Sequence, residues 1–555
     1  MRIPSLFVKV AMLSLMAALL LWPETHGQGL SDEKKAEITE YIDGLGGPDE
    51  PGIAVGVVRD GEIIHSQYLG LANLDHKIPI APETRFNIAS NAKQFTALMV
   101  LDLAEQGKID LKADFRTYLP EALPSIEETI SIEHLITHTS GIRDIYDLWA
   151  LTGVTWYERP FDTRDAIELL NKQTGLNFTP GSRHKYSNSN YIFLAQLVSE
   201  VSGERFHKAT RKFFDARNMP STGVKRRYGE IIPDLARAYG NWNGWMENPA
   251  IANLHGDGFL FTTLPDQLEW EKQVQGTGQT LSPALMAESQ GVVSEALTSR
   301  YGFGLEFSGY KGLDYAFHAG GTGGYNAYLM RFPEYATSVV VIGNTTEIGV
   351  AQTARKLADI VLADEIGPPV NRRKPVRLAA VPDATLLPGL YETEYGDRVT
   401  VTKTEEGLAA SVFGGDPVPL KLEDTNFYAF GDLSHVKFAF EPSDHGLRLN
   451  VYAGSTTYET MQLPALPDDD DWAQSVAGRF MNAETDVEIS LEYTGNNAFK
   501  ISKEGRTREG EALGRDYLAM NSYRIMVLRD DAGAVKGLSV NNSRIENVRF
   551  DLIAE

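Results

Sequence analysis

The sequence predicts an α/β (α+β) domain followed by two small all-β, antiparallel, barrel-like domains. Three observations carry this. Between about residues 31 and 364, runs with strand and helix periodicity interleave, the pattern of a mixed sheet flanked by helices. Helical patterns then stop at a proline- and charge-rich stretch, Gly367-Pro368-Pro369-Val370-Asn371-Arg372-Arg373-Lys374-Pro375, and short alternating runs replace them from Leu387. A second break, Leu466-Pro467 with the acid run Asp468-Asp469-Asp470-Asp471, divides those runs in two and reads as a solvated linker. The predicted domains are 28–366, 387–466 and 472–555, with a linker at 367–386 and residues 1–27 set apart.

Those first residues have a targeting pattern. Arg2 and Lys9 precede an apolar run over 10–22, and the small Gly27 follows Thr25-His26. This reads as a signal peptide cleaved near Gly27/Gln28, since the run is shorter than the ~20 residues of a membrane span. It predicts export, periplasmic or secreted, with no stable membrane span after cleavage.

Within the first domain, Ile53-Ala54-Val55-Gly56-Val57-Val58 and Ile63-Ile64 flank Asp60-Gly61, two strands around a tight turn. An apolar helix follows Ser90 and stops near Gly107. Leu135-Ile136-Thr137-His138-Thr139-Ser140-Gly141-Ile142 reads as a helix ending in a polar turn, with Thr137, His138 and Ser140 as turn residues and Arg143-Asp144 as a structural ion pair. Pro180-Gly181 breaks the chain before a polar loop that feeds a helix over 192–201. Tyr301-Gly302-Phe303-Gly304-Leu305 and the segment 317–325 read as adjacent strands, Ala327-Tyr328-Leu329-Met330 and Ser338-Val339-Val340-Val341-Ile342 extend the sheet, and a helix to Leu362 closes it. In the β region, Leu390-Tyr391-Glu392-Thr393, Val399-Thr400-Val401-Thr402 and Val436-Lys437-Phe438-Ala439-Phe440 alternate as strands. Gly389-Leu390-Tyr391 and Gly478-Arg479-Phe480 open the two units in a way that hints at duplication.

The composition is that of a globular protein with a large core: 555 residues, 43% hydrophobic and 23% charged. A formal net charge of −23 repels phosphate backbones, so no nucleic-acid partner is expected. The absence of cysteine excludes disulfides, thiol catalysis and cysteine-type zinc sites. His134, His138 and His255 form no ligand-spaced set with acids, so neither a metal nor a cofactor is expected. Oligomeric state cannot be read.

Chemistry concentrates in three places. Ser90-Asn91-Ala92-Lys93 puts a hydroxyl and an ammonium one helical turn apart on one face. A serine needs a base within hydrogen-bond reach, and a lysine can serve where burial makes its neutral form accessible. Tyr186-Ser187-Asn188 offers a phenol and a carboxamide on a loop. His318-Ala319-Gly320-Gly321 lies on a strand whose glycines permit close approach of a ligand to the backbone.

In this order S-x-x-K, Y-x-N and H-x-G resemble the serine penicillin-recognising hydrolases, the group of class C β-lactamases, D,D-carboxypeptidases and D-aminopeptidases. Leu135–Ile142, Pro180-Gly181 and Tyr301-Gly302-Phe303-Gly304 add to the likeness, and two trailing β-barrels resemble the layout of bacterial D-aminopeptidases. The resemblance implies a β-lactamase/transpeptidase-like fold over about 31–364 and acyl transfer through a Ser90 ester. Lys93 and Tyr186 would share the base role, either one removing the serine proton. The amides of Ser90 and Gly321 would hold the oxyanion, Asn188 would orient the substrate amide, and His318, Gly320 and Gly321 would line the cleft.

One departure matters. His318 stands where strict β-lactamases carry lysine, and an unperturbed histidine is mostly neutral at pH 7. If His318 supplies positive charge, binding of anionic substrates should weaken from pH 5 to 8. The leading expectation is a hydrolase acting on D-amino-acid peptides, amides or esters, D-aminopeptidase-like. The alternatives are an esterase or D,D-carboxypeptidase with the same residues, or a non-catalytic binder of cell-wall peptides. The barrel sequences show no chemistry of their own.

Overall fold

The computed structural model describes residues 30–553 apart from 154–158, 294–299, 369–377, 379–382, 394–395, 413, 444–445, 454–455 and 468–469. The signal-peptide reading of 1–27 and most of the linker lie outside the described residues.

The first domain is built on six strands: β1 (Ile53–Arg59), β2 (Glu62–Leu69), β3 (Glu306–Tyr310), β4 (Leu313–Thr322), β5 (Tyr325–Phe332) and β6 (Thr337–Gly343). Their order is β3-β4-β5-β6-β1-β2. Every pairing is antiparallel, which corrects the expectation of a mixed sheet. Short connections make β3 to β6 a run of hairpins, and no helical crossover intervenes to turn a strand parallel. The strand expected from Tyr301 begins only at Glu306. Gly304, at φ +76°, bends the chain against the start of the helix after Ser90, where a Cβ would lie 2.3 Å from the Gln94 amide nitrogen.

Both faces of this sheet are covered, so its central strands are apolar on both sides. Along β1, Ala54 and Val58 point into one core while Ile53, Val55 and Val57 point into the other, as a two-residue period requires. On the second face lie α1 (Asp32–Asp43), burying Ile38 and Ile42, and the late helix Val350–Val361. On the first face lies the larger helical lobe, with α2 (Lys93–Glu105) at its centre, α3 (Ile145–Thr152) and α4 (Asn188–Ser202). Residues 93–101 of α2 are all buried, the signature of a helix enclosed by protein rather than laid on a surface.

Residues 389–462 and 478–552 each close into an eight-stranded antiparallel barrel. The alternation read in the sequence fills them: Tyr391, Phe438 and Phe440 pack inside the first, and Phe480, Phe499 and Phe550 inside the second. Closure removes the exposed edges that short strands otherwise present. The second barrel docks on the helical lobe. Arg143, ahead of α3, forms a buried 2.5 Å ion pair with Glu484 of the barrel, so the expected Arg143-Asp144 pair is replaced by an interdomain one. The barrels meet through Glu392 of the first, which accepts from Arg524 at 2.5 Å and Tyr517 at 3.1 Å of the second. Among the described residues no helix is long and apolar enough to cross a membrane.

Candidate active site

Ser90 sits in a single 3-10 turn, Ala89–Ala92, that runs directly into α2. Ala89 is held at φ +44°, a left-handed conformation that costs an alanine roughly 1–2 kcal/mol. The Asn87 side chain fixes it by accepting from the Ala89 amide at 2.9 Å. Between Phe86 and Leu101, Ser90 alone is partly exposed. The strained turn therefore lifts one hydroxyl out of an otherwise buried segment.

Lys93 follows one turn later and is 0% exposed. Its ammonium donates to Ser90 Oγ at 3.1 Å, to Asn188 Oδ1 at 2.8 Å and to the Asp257 carbonyl at 2.6 Å. These three acceptors satisfy all three of its protons. Burial lowers its pKa from 10.5 to about 7, against the pull of the Asp257 carboxylate and with a further push from Arg544. The orientation of Asn188 is forced by its neighbours. Asp144 Oδ2 accepts from both the backbone and the side-chain nitrogen of Asn188, at 2.7 and 2.8 Å, so only the carboxamide oxygen is left to meet Lys93. Asp144 Oδ1 meanwhile caps α3 by accepting from Tyr146 N at 2.9 Å.

Tyr186 completes the group. Its ring lies 4.9 Å from Lys93 Nζ. Burial holds the phenol well above its ordinary pKa, although the Ser90 hydroxyl and the Arg544 charge pull the other way. Behind it, the buried His138 ring packs 4.3 Å from Tyr186 and accepts from the Ser187 amide at 3.2 Å, so the polar turn of the LITHTSGI stretch is the floor of the site.

The strand β4 divides its expected residues differently. The His318 ring is 2% exposed and faces inward, with Nε2 3.1 Å from the Tyr301 hydroxyl and Nδ1 2.7 Å from the Ala319 carbonyl. Burial, then the Lys93 charge, lowers its pKa to about 3. This corrects the expectation that His318 lines the cleft: the ring lies behind the wall, where burial favours its neutral form. Gly320 is required by protein rather than by ligand, because a Cβ there would meet the Ile88 carbonyl at 2.3 Å, packing β4 onto the Ser90 turn. Gly321 alone faces open space, with nothing within 4 Å of its Cβ position. The two-residue turn Gly323-Gly324 closes on Thr322 and Tyr325, which makes Gly321 a non-hydrogen-bonded pair with Asn326 and turns its amide away from β5.

A cavity of about 140 Å³ joins these groups, with Ser90, Asn188, Asp257, Gly321 and Thr322 on its walls. Its remaining wall comes from 454 residues beyond Ser90. Arg544, in the turn between strands Val535–Asn541 and Val548–Leu552 of the second barrel, reaches into the same cavity. Its guanidinium carbon is 5.3 Å from the centroid of Tyr186.

The beta-lactamase family model matches residues 38–363, more than half of the chain. The chain belongs to the beta-lactamase family. Its N-terminal part is a serine hydrolase domain of that family, and the two barrels follow it. Over 378 residues it is 29% identical to a D-aminopeptidase of Gluconobacter oxydans (strain 621H), an alignment covering 66% of each chain, so this protein spans about two thirds of that relative's length. The octameric penicillin-binding protein homologue from Pyrococcus abyssi shares the fold with a TM-score of 0.52 at 18% identity, over 93% of this chain and 99% of that one. The D-amino acid amidase from Ochrobactrum anthropi SV3 shares it with a TM-score of 0.51 at 18% identity, over 60% of this chain and 98% of that one.

Of the residues named from the sequence of this beta-lactamase-family chain, Ser90, Lys93, Tyr186, Asn188 and Gly321 converge, and His318 and Gly320 stand behind them. Sequence reasoning missed Asp144, Asp257 and Arg544. Asp144 had a signal, an acid directly before a helix, the N-cap position. Asp257 lies between Gly256 and Gly258, whose chain bends close enough for its carbonyl to reach Lys93. Arg544 had no local signal: one arginine in a polar turn of an all-β unit.

Proposed function

We propose that this protein is an exported serine hydrolase that cleaves D-amino-acid-containing peptides, amides or esters through an acyl-enzyme on Ser90. The observation that carries this reading is the 3.1 Å contact between Lys93 Nζ and Ser90 Oγ, made by an amine that burial holds at about 7. At neutral pH a substantial share of that amine is neutral and has a lone pair for the Ser90 proton as Oγ adds to the substrate carbonyl. The raised pKa of Tyr186 argues for a phenol that relays a proton rather than a phenolate that removes one. It passes the proton to the departing nitrogen or oxygen. The amides of Ser90 and Gly321 receive the oxyanion, worth about 3 kcal/mol per donor in comparable sites. Water then adds to the ester by the reverse proton path, freeing the acid and restoring Ser90.

The D-amino-acid preference draws on the D-aminopeptidase relative. Export draws on residues 1–27. The test measures p-nitroaniline release from D-alanyl, L-alanyl and N-acetyl-D-alanyl p-nitroanilides, with p-nitrophenyl acetate alongside and Ser90→Ala as control. Turnover of D-substrates that disappears in Ser90→Ala is expected, and ester turnover alone would move the assignment to an esterase. If wild type and Ser90→Ala are equally inert, with no covalent adduct by intact mass after exposure to a β-lactam, the reading fails and a binding role takes its place. For export, the mature protein should begin near Gln28 in the periplasmic or extracellular fraction.

A further inference from the structure

The turn that carries Arg544 is fixed on the hydrolase domain by its backbone. Asn177 Nδ2 donates to the Arg544 carbonyl at 3.1 Å, and Asn177 Oδ1 accepts from the Glu546 amide at 2.6 Å. Arg143 donates to the carbonyls of Glu546 and Asn547 at 3.1 and 2.8 Å, and Lys185 to that of Ser543 at 3.2 Å. The position of Arg544 is thus set before any substrate arrives.

Its side chain is not so engaged. The acids that face it are Asp144, Asp147 and Asp257; each accepts a hydrogen bond from another group, and one oxygen of Asp257 is left without a partner. Asp144 holds Asn188 and caps α3. Asp147 accepts from Asn542 at 2.5 Å, and Asp257 from Tyr146 at 2.8 Å. Among the described residues, no carboxylate lies within 4.0 Å of the guanidinium and no acceptor takes a hydrogen bond from it. The neighbouring acids still raise its pKa against burial, so the group stays charged. A largely enclosed guanidinium with five donors and an open cavity before it is built to take a carboxylate bidentately.

We propose that Arg544 is the receptor for a substrate carboxylate, so that this site selects D-amino-acid substrates with a free carboxylate within about one residue of the scissile carbonyl. The reach follows from the volume of the cavity, which at about 140 Å³ has room for about one small residue and has both Ser90 and Arg544 on its walls. This rests on the acyl-transfer reading above and sharpens it. It also supplies the positive charge that His318 lacks, and from another domain. The carboxylate could belong to the leaving residue, as a free C-terminus, or to an acidic side chain on the acyl residue.

The experiment measures binding by isothermal titration calorimetry in Ser90→Ala protein, where nothing turns over. N-acetyl-D-alanyl-D-alanine is compared with its C-terminal amide, and N-acetyl-D-glutamic acid α-amide with the D-glutamine analogue. In at least one pair the acid should bind about tenfold or more tighter than the neutral partner. The pair that responds identifies which carboxylate is read. Arg544→Gln added to Ser90→Ala should bring that ratio within twofold, and Arg544→Lys should keep part of it. Equal binding within both pairs, no binding by any of the four probes, or a preference that survives Arg544→Gln would each overturn the proposal. Thermal melts confirm folding, and Arg544→Met replaces the glutamine variant if that one does not fold. A wild type inert on the anilides and esters and unmodified by a β-lactam would defeat the acyl-transfer reading and leave this measurement standing. An active wild type with no carboxylate preference would defeat the carboxylate receptor alone.

Discussion

Lys93 can act as a base because of where it is, not because it is a lysine. Its position at the entrance of a helix buried on every side strips water from the ammonium, and three fixed acceptors keep the nitrogen against Ser90. With a pKa near 7 the protonated form dominates below that value, and a protonated amine cannot remove the serine proton. The rate of acylation should therefore fall about tenfold per pH unit below pH 6 and level off above pH 8. A profile flat between pH 5 and 8, measured on an uncharged anilide, would show that Lys93 is not the base. Asp144 is tested separately, because it does two jobs. Asp144→Ala should lose about 1 kcal/mol of helix cap and lower kcat by roughly 100-fold, as the Asn188 carboxamide loses its fixed orientation and Lys93 shifts. Asp144→Asn can keep the cap but turns an NH2 towards the two Asn188 donors, so it should lose about 1–3 kcal/mol while kcat also falls; equal kcat in the asparagine variant would detach Asp144 from the chemistry. The serine, lysine, tyrosine and asparagine were legible from their order along the chain. The aspartates were not, because one acts through a backbone carbonyl that any residue type could supply and the other through a cap that is common in every fold.

At the scale of elements, β4 shows how two adjacent glycines can have unrelated reasons to exist. Gly320 lets the strand touch the Ser90 turn, and Gly321 faces the cavity. Gly320→Ala should force the turn or the strand to move, costing about 1–3 kcal/mol and most of the activity. Gly321→Ala should fold with a stability change of about 0.5 kcal/mol or less, since its new methyl group meets no protein. Chemical denaturation of both variants decides the matter; equal destabilisation would refute the assignment of the contact to Gly320. The sequence had marked the glycines of this strand as a place of close approach, which is correct, without indicating what approaches. The same limit explains His318. A histidine before a glycine pair at a strand end reads as a cleft residue, yet side-chain direction depends on the partner strand and on the helix behind it. Here the ring is turned towards Tyr301. The antiparallel sheet is a further example, because strand and helix periodicities reveal the elements but not which way neighbouring strands run.

Across the whole molecule, the barrels were legible as barrels, since inward and outward positions alternate along each strand, but their service to the site was not. The contacts that fix the Arg544 turn join residues more than 300 positions apart, and nothing in the local composition of either partner announces the other. The ion pair between Arg143 and Glu484 is the place to test whether that docking matters. Both groups are nearly fully buried, at 3% and 9% side-chain exposure, and Glu484 also accepts from the Thr174 amide and hydroxyl at 2.8 Å each. Glu484→Ala leaves the buried Arg143 charge without its carboxylate and the Thr174 amide without an acceptor in a closed interface, so a loss of about 3–5 kcal/mol is expected from the pair. The acid-over-amide preference should be lost with it as the turn carrying Arg544 loosens. By contrast, Arg479 and Glu488 of the same barrel form an exposed pair at 2.6 Å, and Glu488→Ala should leave both the melting temperature and the preference as they were. Glu484→Gln, which can still accept from Thr174, should fall between the two. Urea denaturation of the three variants, with the acid-to-amide binding ratio read on each, separates the possibilities. If Glu484→Ala were as stable as wild type, the second barrel would be a passenger, and the serine, lysine and tyrosine of the first domain would have to account for selectivity alone.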